Sequence, residues 1–302
     1  MGAAAPKPPL AIPPPSKLGG ILVVVHEGPI MTSWFTNWIE RSPLIAFFVL
    51  VFGIQWLLVL ALLILPSLVP PLVALVVGSW LPNGIGLLVT GVTDGRPGLR
   101  ELFGRVVRWR ISIKWYAIAS FVPAAVALLA IGLWALLGNA VPDFASADML
   151  LPLILLAVFT GATGEELGWR GTALPRLQAR WNVLTSSLVL GVLWGLYHLP
   201  SFFLSGMPLE NAPLITFMVG TVGINVFISW IFNHTGRSLI MMFLFHFALN
   251  FTGNVTGIYS TPALFGLLAA IYCVVAVAVI VLDWTLFTQL TCPSTKRPSQ
   301  TL

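Results

Sequence analysis

The chain has 302 residues, of which 58% are hydrophobic and 8% are charged, with a mean hydropathy of +0.95. Soluble domains average about 25% charged residues, so this composition excludes a water-soluble protein and predicts an integral membrane protein. The apolar runs carry neither heptads nor a repeat of fixed length, which excludes a coiled coil and a solenoid. The excess of 15 Lys and Arg over 10 Asp and Glu has to be interpreted by its position in such a chain, and no nucleic-acid partner is expected.

The two ends of the chain differ in composition from the middle. Residues 1–42 are predicted to be a Pro-rich, largely disordered arm that ends in an interfacial segment, and residues 288–302 a flexible cytoplasmic tail. No removable signal peptide is evident. Cys273 and Cys292 are far apart and have no CxxC spacing, which favours neither a disulfide framework nor a cysteine metal site. Residues 43–287 are therefore predicted to form the folded domain.

The middle of the chain divides into apolar runs of the length that a bilayer requires, about 20 residues per helix. Pro, Gly and charged residues separate these runs. We predict an all-α, polytopic membrane helix bundle of about eight spans. The spans are residues 43–65, 71–92, 115–138, 150–167, 185–204, 213–233, 238–253 and 262–287.

The basic residues predict the orientation of the bundle, because cytoplasmic loops carry an excess of Lys and Arg. All 15 lie in alternate connections or in the termini. Eight spans with both termini in the cytoplasm fit this alternation without a violation, in a protein that we place in the cell membrane. The acidic residues of the other connections are Asp143, Asp148 and Glu210.

The most basic connection, residues 93–114, interleaves six basic residues with apolar ones. It resembles an amphipathic surface helix that lies on anionic headgroups, which makes membrane lipids the expected partner. An ordinary positive-inside loop explains the same composition equally well.

Ionisable side chains within spans are costly, about 2.5–3.5 kcal/mol each on insertion scales, so each requires a partner or a function. These residues are few in this sequence. They are Glu165 and Glu166 at the predicted cytoplasmic end of the fourth span, His198 in the fifth, His246 beside Asn250 in the seventh, and Asp283 in the eighth.

Glu165 and Glu166 are adjacent carboxylates at the end of an apolar helix. Glu166 and Arg170 are four residues apart, so they share a helix face and can pair. Glu165 is then turned about 100° away and has no such partner, which suits a general base. The alternative is an ordinary helix end with interfacial charges.

The two histidines complete a polar set on three helices. His198 follows Trp194 by one helical turn, and His246 precedes Asn250 by the same spacing. Each alone can be explained by a hydrogen bond to a carbonyl group or by polar contacts between helices. Together with the two carboxylates and Arg170, they predict a hydrolytic or metal site in a polar cavity that opens to the cytoplasmic side.

At these residues the chain resembles the CPBP family of CAAX proteases and bacteriocin-processing enzymes, also called the Abi or type II CAAX prenyl endopeptidase family. Glu165-Glu166-x-x-x-Arg170 is similar to its EExxxR motif, and His246-x-x-x-Asn250 to its HxxxN motif. His198 resembles the histidine of its FxxxH motif, with Trp194 in place of Phe. The resemblance covers residues 93–255.

The resemblance implies an intramembrane endopeptidase in which Glu165 activates water with help from His198. His246 and Asn250 would stabilise the oxyanion, and Arg170 would hold Glu166. It also implies a peptide or protein substrate, prenylated in the CAAX-processing members, and in some relatives a metal. Glu165, His198 and His246 could hold Zn²⁺, and a metal-free glutamate mechanism is equally compatible with these residues.

Two other functions remain open at this point. Buried Glu and His residues also mark proton or ion pathways, so the chain could be a coupled transporter. It could also be a non-catalytic bacteriocin-immunity protein that uses the same fold.

Overall fold

The computed structural model describes residues 30–64, 70–204, 209–210, 212–259 and 261–289. These residues form helices and no β-strand, which confirms the predicted all-α bundle. The helices are α1 (Ile30–Arg41), α2 (Pro43–Ile64), α3 (Pro71–Val106), α4 (Ile113–Leu136), α5 (Ala147–Gln178), α6 (Val183–Tyr197), α7 (Leu214–His234), α8 (Leu239–Val255), α9 (Pro262–Leu282) and α10 (Trp284–Thr288).

Each predicted span overlaps one of the helices α2 to α9. Six of these helices are long and apolar enough to cross a bilayer, whereas α6 and α8 are shorter. With 15 and 17 residues they measure about 22 and 25 Å, against about 30 Å of hydrocarbon. The chain is therefore an integral, multi-pass membrane protein, and the crossing of the bilayer by α6 and α8 stays a prediction.

Two segments are more helical than the sequence predicts. Helix α1 occupies the end of the predicted N-terminal arm and buries Ile39 completely. Helix α3 continues through a kink at Gly95 to Val106, so residues 93–106 of the basic segment 93–114 are a helix joined to the second span. Residues 1–29 of the arm and 290–302 of the tail lie outside the described residues.

Helix α5 differs most from its prediction. Its regular hydrogen bonding is interrupted at Thr160 and Gly161, where Gly161 has φ 63° and ψ −77°. The helix then continues to Gln178 instead of ending near residue 167. Glu165 and Glu166 therefore lie in the interior of α5, not at its cytoplasmic end, because the polar stretch that follows them is buried rather than interfacial.

The segment that carries the two carboxylates is packed directly on the backbone of α3. A Cβ atom built on Gly168 would lie 2.2 Å from the Pro82 carbonyl oxygen, so only glycine permits this approach. The side chain of Asn83 joins the same helices, donating to the Thr163 carbonyl at 2.6 Å and accepting from the Gly168 N–H at 3.1 Å. Membrane helices are commonly joined in this way, by small residues that let the backbones approach and by hydrogen bonds between the two helices.

We expect Gly168→Ala to destabilise the bundle by about 1–3 kcal/mol, because overpacking of a tight core costs about that much. Thermal unfolding in detergent micelles measures the effect. Gly132→Ala in α4 is the matched control, since a Cβ there meets nothing within 4 Å. Equal unfolding temperatures for the two variants would contradict the close approach of α5 to α3.

Candidate active site

The carboxylate of Glu165 is held by two tryptophan side chains. The indole N–H of Trp169 donates to Oε2 of Glu165 at 2.9 Å, and that of Trp194 donates to the same oxygen at 2.7 Å. Trp169 is one turn along α5 and Trp194 projects from α6. Two N–H donors hold this one oxygen and leave Oε1 as the other acceptor of the carboxyl group.

Glu166 forms a buried network behind this carboxylate. Nη1 of Arg170 donates to its Oε1 at 2.9 Å, as the four-residue spacing predicts, and Nδ1 of His246 lies 2.6 Å from the same oxygen. The side chains of Glu166 and Arg170 are completely buried. The Arg170 guanidinium also lies over the Trp194 ring, 4.5 Å from its centre, a cation–π contact that links the two carboxylate environments.

The break in α5 lies against the polar face of α8. A Cβ on Gly161 would come within 2.8 Å of Nε2 of His246 and 2.7 Å of Nδ2 of Asn250. Both nitrogens therefore face the interrupted backbone of α5 from one side. Because Nδ1 of His246 is paired with Glu166, a protonated imidazole presents its Nε2–H here next to the Asn250 amide.

His198 approaches Glu165 from the C-terminal end of α6. Its Nδ1 donates to the Trp194 carbonyl oxygen at 2.7 Å, and its ring meets the Trp194 ring edge-on at 5.5 Å. In the neutral imidazole this leaves Nε2 as an acceptor. Trp194 thus positions both Glu165 and His198, a function for the aromatic residue of the second motif that spacing alone does not indicate.

These groups line one cavity of about 230 Å³. Glu165, His198, His246 and Asn250 contribute to its wall, while Glu166 and Arg170 are behind it. The rest of the wall is mostly apolar. The lining residues that fill the space between α7 and α9 are Phe217, Gly220, Ile224, Phe265, Leu268 and Tyr272.

A second, smaller cavity of about 60 Å³ reaches the same two groups from the other side. Glu165 and His198 line both cavities, as do Ser79 and Ser201. Gln55 of α2, a polar residue in an otherwise apolar helix, lines only the smaller one. Its volume is sufficient for about two water molecules, each of which occupies about 30 Å³ in the liquid.

The arrangement does not fit the metal that the sequence left open. Among the described residues no three His, Cys, Asp or Glu side chains are grouped closely enough to hold an ion. Glu165, His198 and His246 are therefore not grouped as a ligand set in this structure.

Asp283, whose function the sequence does not indicate, lies away from the cavity. Its Oδ2 is 2.5 Å from Nε2 of His234 and accepts a hydrogen bond from the Trp230 indole at 3.1 Å. His234 is stacked on Trp115 of α4, with ring centres 5.0 Å apart. The cluster ties the ends of α4, α7 and α9 together, which is a structural function.

Three residues that shape the site were not among those predicted from the sequence. Trp169 holds Glu165, Gly161 permits the approach of α8, and Asn83 anchors the carboxylate segment to α3. The sequence contains a signal for Asn83 alone, because a polar residue in the middle of an apolar span needs a partner.

The wall of the cavity also reaches two of the connections between helices. Its wall includes Leu209 and Tyr259, which belong to connections without Lys or Arg. The cytoplasmic orientation of the basic loops and the opening of the cavity to the cytoplasmic side both stay predictions.

Comparisons with known proteins agree with the motifs. Residues 147–252 match the family model described as type II CAAX prenyl endopeptidase Rce1-like. The CAAX prenyl protease 2 of Methanococcus maripaludis is 29% identical over 180 residues, which cover 53% of this chain and 66% of that relative. The aligned part is just under two thirds of the relative's own length. The family match runs from α5 into α8 and contains all six candidate site residues.

Proposed function

We propose that this chain, which belongs to the CPBP family of CAAX proteases and bacteriocin-processing enzymes, is an intramembrane endopeptidase. The observation that carries the proposal is the Glu165 carboxyl group, held by two indole donors in a cavity that also contains His198, His246 and Asn250. Hydrolysis of an amide bond needs a positioned base and hydrogen-bond donors around the space that the peptide occupies. Here the carboxyl group, the imidazoles and the amide supply these groups.

In the proposed mechanism, Oε1 of Glu165 accepts a proton from a water molecule that Nε2 of His198 helps to orient. The resulting hydroxide attacks the carbonyl carbon of the substrate. General base catalysis by a positioned group contributes about 10²- to 10⁴-fold to a rate. The small cavity beside Gln55 supplies this water, because it reaches Glu165 and His198 without crossing the space that the peptide occupies.

The negative charge that develops on the carbonyl oxygen is placed between His246 and Asn250. Their Nε2 and Nδ2 atoms face the same point beside Gly161, and one amide donor at an oxyanion is worth about 2.7–4 kcal/mol. Glu166 pairs with Nδ1 of His246 and so keeps the ring oriented. When the carbon–nitrogen bond breaks, the proton held by Glu165 passes to the leaving amine, which restores the carboxylate.

The substrate is proposed to be a peptide or protein with an apolar segment, of which a prenylated CAAX peptide is one example. The names of the matched family model and of the relative refer to such substrates, and the apolar wall between α7 and α9 suits a lipid-like group. We place the enzyme in the cell membrane with both termini in the cytoplasm, and its basic helix end among anionic lipids.

Cleavage of two internally quenched peptides by the purified full-length protein in detergent tests the function. One peptide carries a farnesylated CAAX sequence, and the other is an apolar peptide without the lipid. We expect hydrolysis of at least one, and we expect it to survive a metal chelator because the described residues provide no ligand set. Loss with chelator that Zn²⁺ restores would contradict the metal-free mechanism, and a folded protein that cleaves neither peptide would contradict the peptidase.

A further inference from the structure

Helix α9 contributes one polar group to the wall of the cavity, the hydroxyl of Tyr272. No other side chain of α9 carries a hydroxyl, an amide or a charge, and Tyr272 lies at mid-length in this apolar helix. Burial of a hydroxyl without a hydrogen bond is unfavourable, so a polar residue at this depth requires a partner or a function. The residues that match the family model, 147–252, end before α9 begins. Tyr272 is therefore not part of the motifs described above.

The protein itself provides no hydrogen-bond partner for this hydroxyl. Tyr272 is 1% exposed, and its Oη forms no hydrogen bond with any of the described residues. Among the described residues that line the cavity, no other fully buried side-chain oxygen or nitrogen lacks a partner. The hydroxyls of Thr160 and Thr221, in the same wall, donate to backbone carbonyls of their own helices at 2.6 and 2.7 Å. The donor of Tyr272 is therefore available to a bound molecule.

The packing of α9 holds Tyr272 at the side of the cavity between α7 and α9. Gly223 of α7 lies against its backbone, where a Cβ atom would be 3.1 Å from the Tyr272 carbonyl oxygen. Tyr259 lines the same cavity, and its hydroxyl is close enough to that of Tyr272 for the two to interact electrostatically. Because Tyr272 is also buried from lipid, its side chain faces the interior of the bundle.

We propose that Tyr272 positions the substrate by donating a hydrogen bond to a backbone carbonyl group of the bound peptide. A peptide has one carbonyl acceptor at every residue, and each one that is buried requires a donor. An isoprenoid chain has no acceptor of this kind. The phenol is a neutral donor, and the cavity wall contains no Lys or Arg that would compete with it.

The contact is separate from the bond that is cleaved. In the proposed mechanism the carbonyl group of that bond lies at His246 and Asn250, so Tyr272 binds the carbonyl group of another residue of the substrate. The inference rests on the proposed function, because it names the substrate group that the same site recognises. Tyr272 is therefore a positioning residue and takes no part in the proton transfers.

Binding of a peptide that is not cleaved tests the contact without an assay of activity. The probes are the farnesylated CAAX peptide and the apolar peptide described above, each added to immobilised Glu165→Gln protein in detergent. We expect Tyr272→Phe in this background to raise the dissociation constants of both peptides by about 2- to 10-fold, the range of one neutral hydrogen bond. Equal dissociation constants with and without the Tyr272 hydroxyl overturn the inference.

Tyr116→Phe is the matched control, because the Tyr116 hydroxyl donates to the Trp109 carbonyl at 2.6 Å and Tyr116 does not line the cavity. We expect it to leave peptide binding unchanged. The unfolding temperature in detergent then separates positioning from a structural function. Tyr272→Phe removes a hydroxyl that has no partner in the protein, so this temperature should be unchanged or higher. Weaker binding together with a lower unfolding temperature of Tyr272→Phe overturns the inference.

Steady-state kinetics distinguish this inference from the peptidase function. A hydrogen bond away from the cleaved bond is made equally in the ground state and the transition state, so Tyr272→Phe should raise KM and leave kcat unchanged. Hydrolysis by Tyr272→Phe with the wild-type KM overturns the function of Tyr272 only. Weaker peptide binding by Tyr272→Phe, without hydrolysis of either peptide by the wild type, overturns the peptidase only.

Discussion

Glu165→Gln is expected to slow peptide hydrolysis by about 10²- to 10⁴-fold, the range that a general base contributes. Glutamine keeps the shape of the side chain and retains an oxygen for the Trp169 and Trp194 indole N–H groups. It cannot take a proton from water. Initial rates with a quenched peptide and purified protein measure the loss, and the unfolding midpoint in detergent shows whether the bundle is intact.

A control substitution at another glutamate separates the loss of the proposed base from a general loss of negative charge. Glu101→Gln changes an exposed carboxylate near the C-terminal end of α3, whose side chain is 63% accessible, and we expect the variant to keep its activity. Trp194→Phe removes one of the two N–H donors and retains an aromatic ring, so an intermediate loss is expected. A Glu165→Gln variant with at least half of the wild-type rate would rule out Glu165 as the base.

Arg170→Met is expected to lower the free energy of unfolding by about 3–5 kcal/mol, the cost of leaving one partner of a buried ion pair unpaired. Both side chains of the Arg170–Glu166 pair are inaccessible to solvent. Methionine replaces the length of the arginine stem but not its charge, so Glu166 keeps only His246 as a partner. Denaturant or thermal unfolding in detergent measures the difference.

Arg176→Met is the matched control in the same helix. Arg176 pairs with Asp94, whose side chain is 51% accessible, and pairs of that kind contribute about 0–1 kcal/mol. The double variant Arg170→Met with Glu166→Gln removes both charges and should be less destabilised than the sum of the two single variants. If Arg170→Met were no less stable than Arg176→Met, the buried pair would have no structural importance.

The pairing of Glu166 with Arg170 could be predicted because it depends on one helix only. Residues four apart share a face wherever the backbone is close to helical, and the π-helical turn over Leu167–Ala173 leaves the contact at 2.9 Å. The placement of His198 beside Trp194 follows from the same local geometry. The membrane class and the order of the spans could be predicted too, since lipid requires long apolar helices.

The length of α5 could not be predicted in this way. Gly168, Trp169 and Arg170 look like a polar helix end, yet they are buried against other helices. Burial of such a stretch depends on partners that are distant in sequence, here the Pro82 carbonyl and the Asn83 side chain of α3. Periodicity and hydropathy contain no information about such contacts, which explains the incorrect boundary at residue 167.

The sequence by itself therefore determined the all-α membrane class, the one-sided distribution of basic residues and the identity of the polar groups. Each of these depends on composition, or on spacing within a single helix. Only the tertiary structure decided which groups meet: Glu165 with two indoles, Glu166 with His246, and Asn250 with the break at Gly161. It also decided that Glu165 and Glu166 lie in the interior of α5, because the depth of a site depends on how far each helix extends beyond the residues that carry its chemistry.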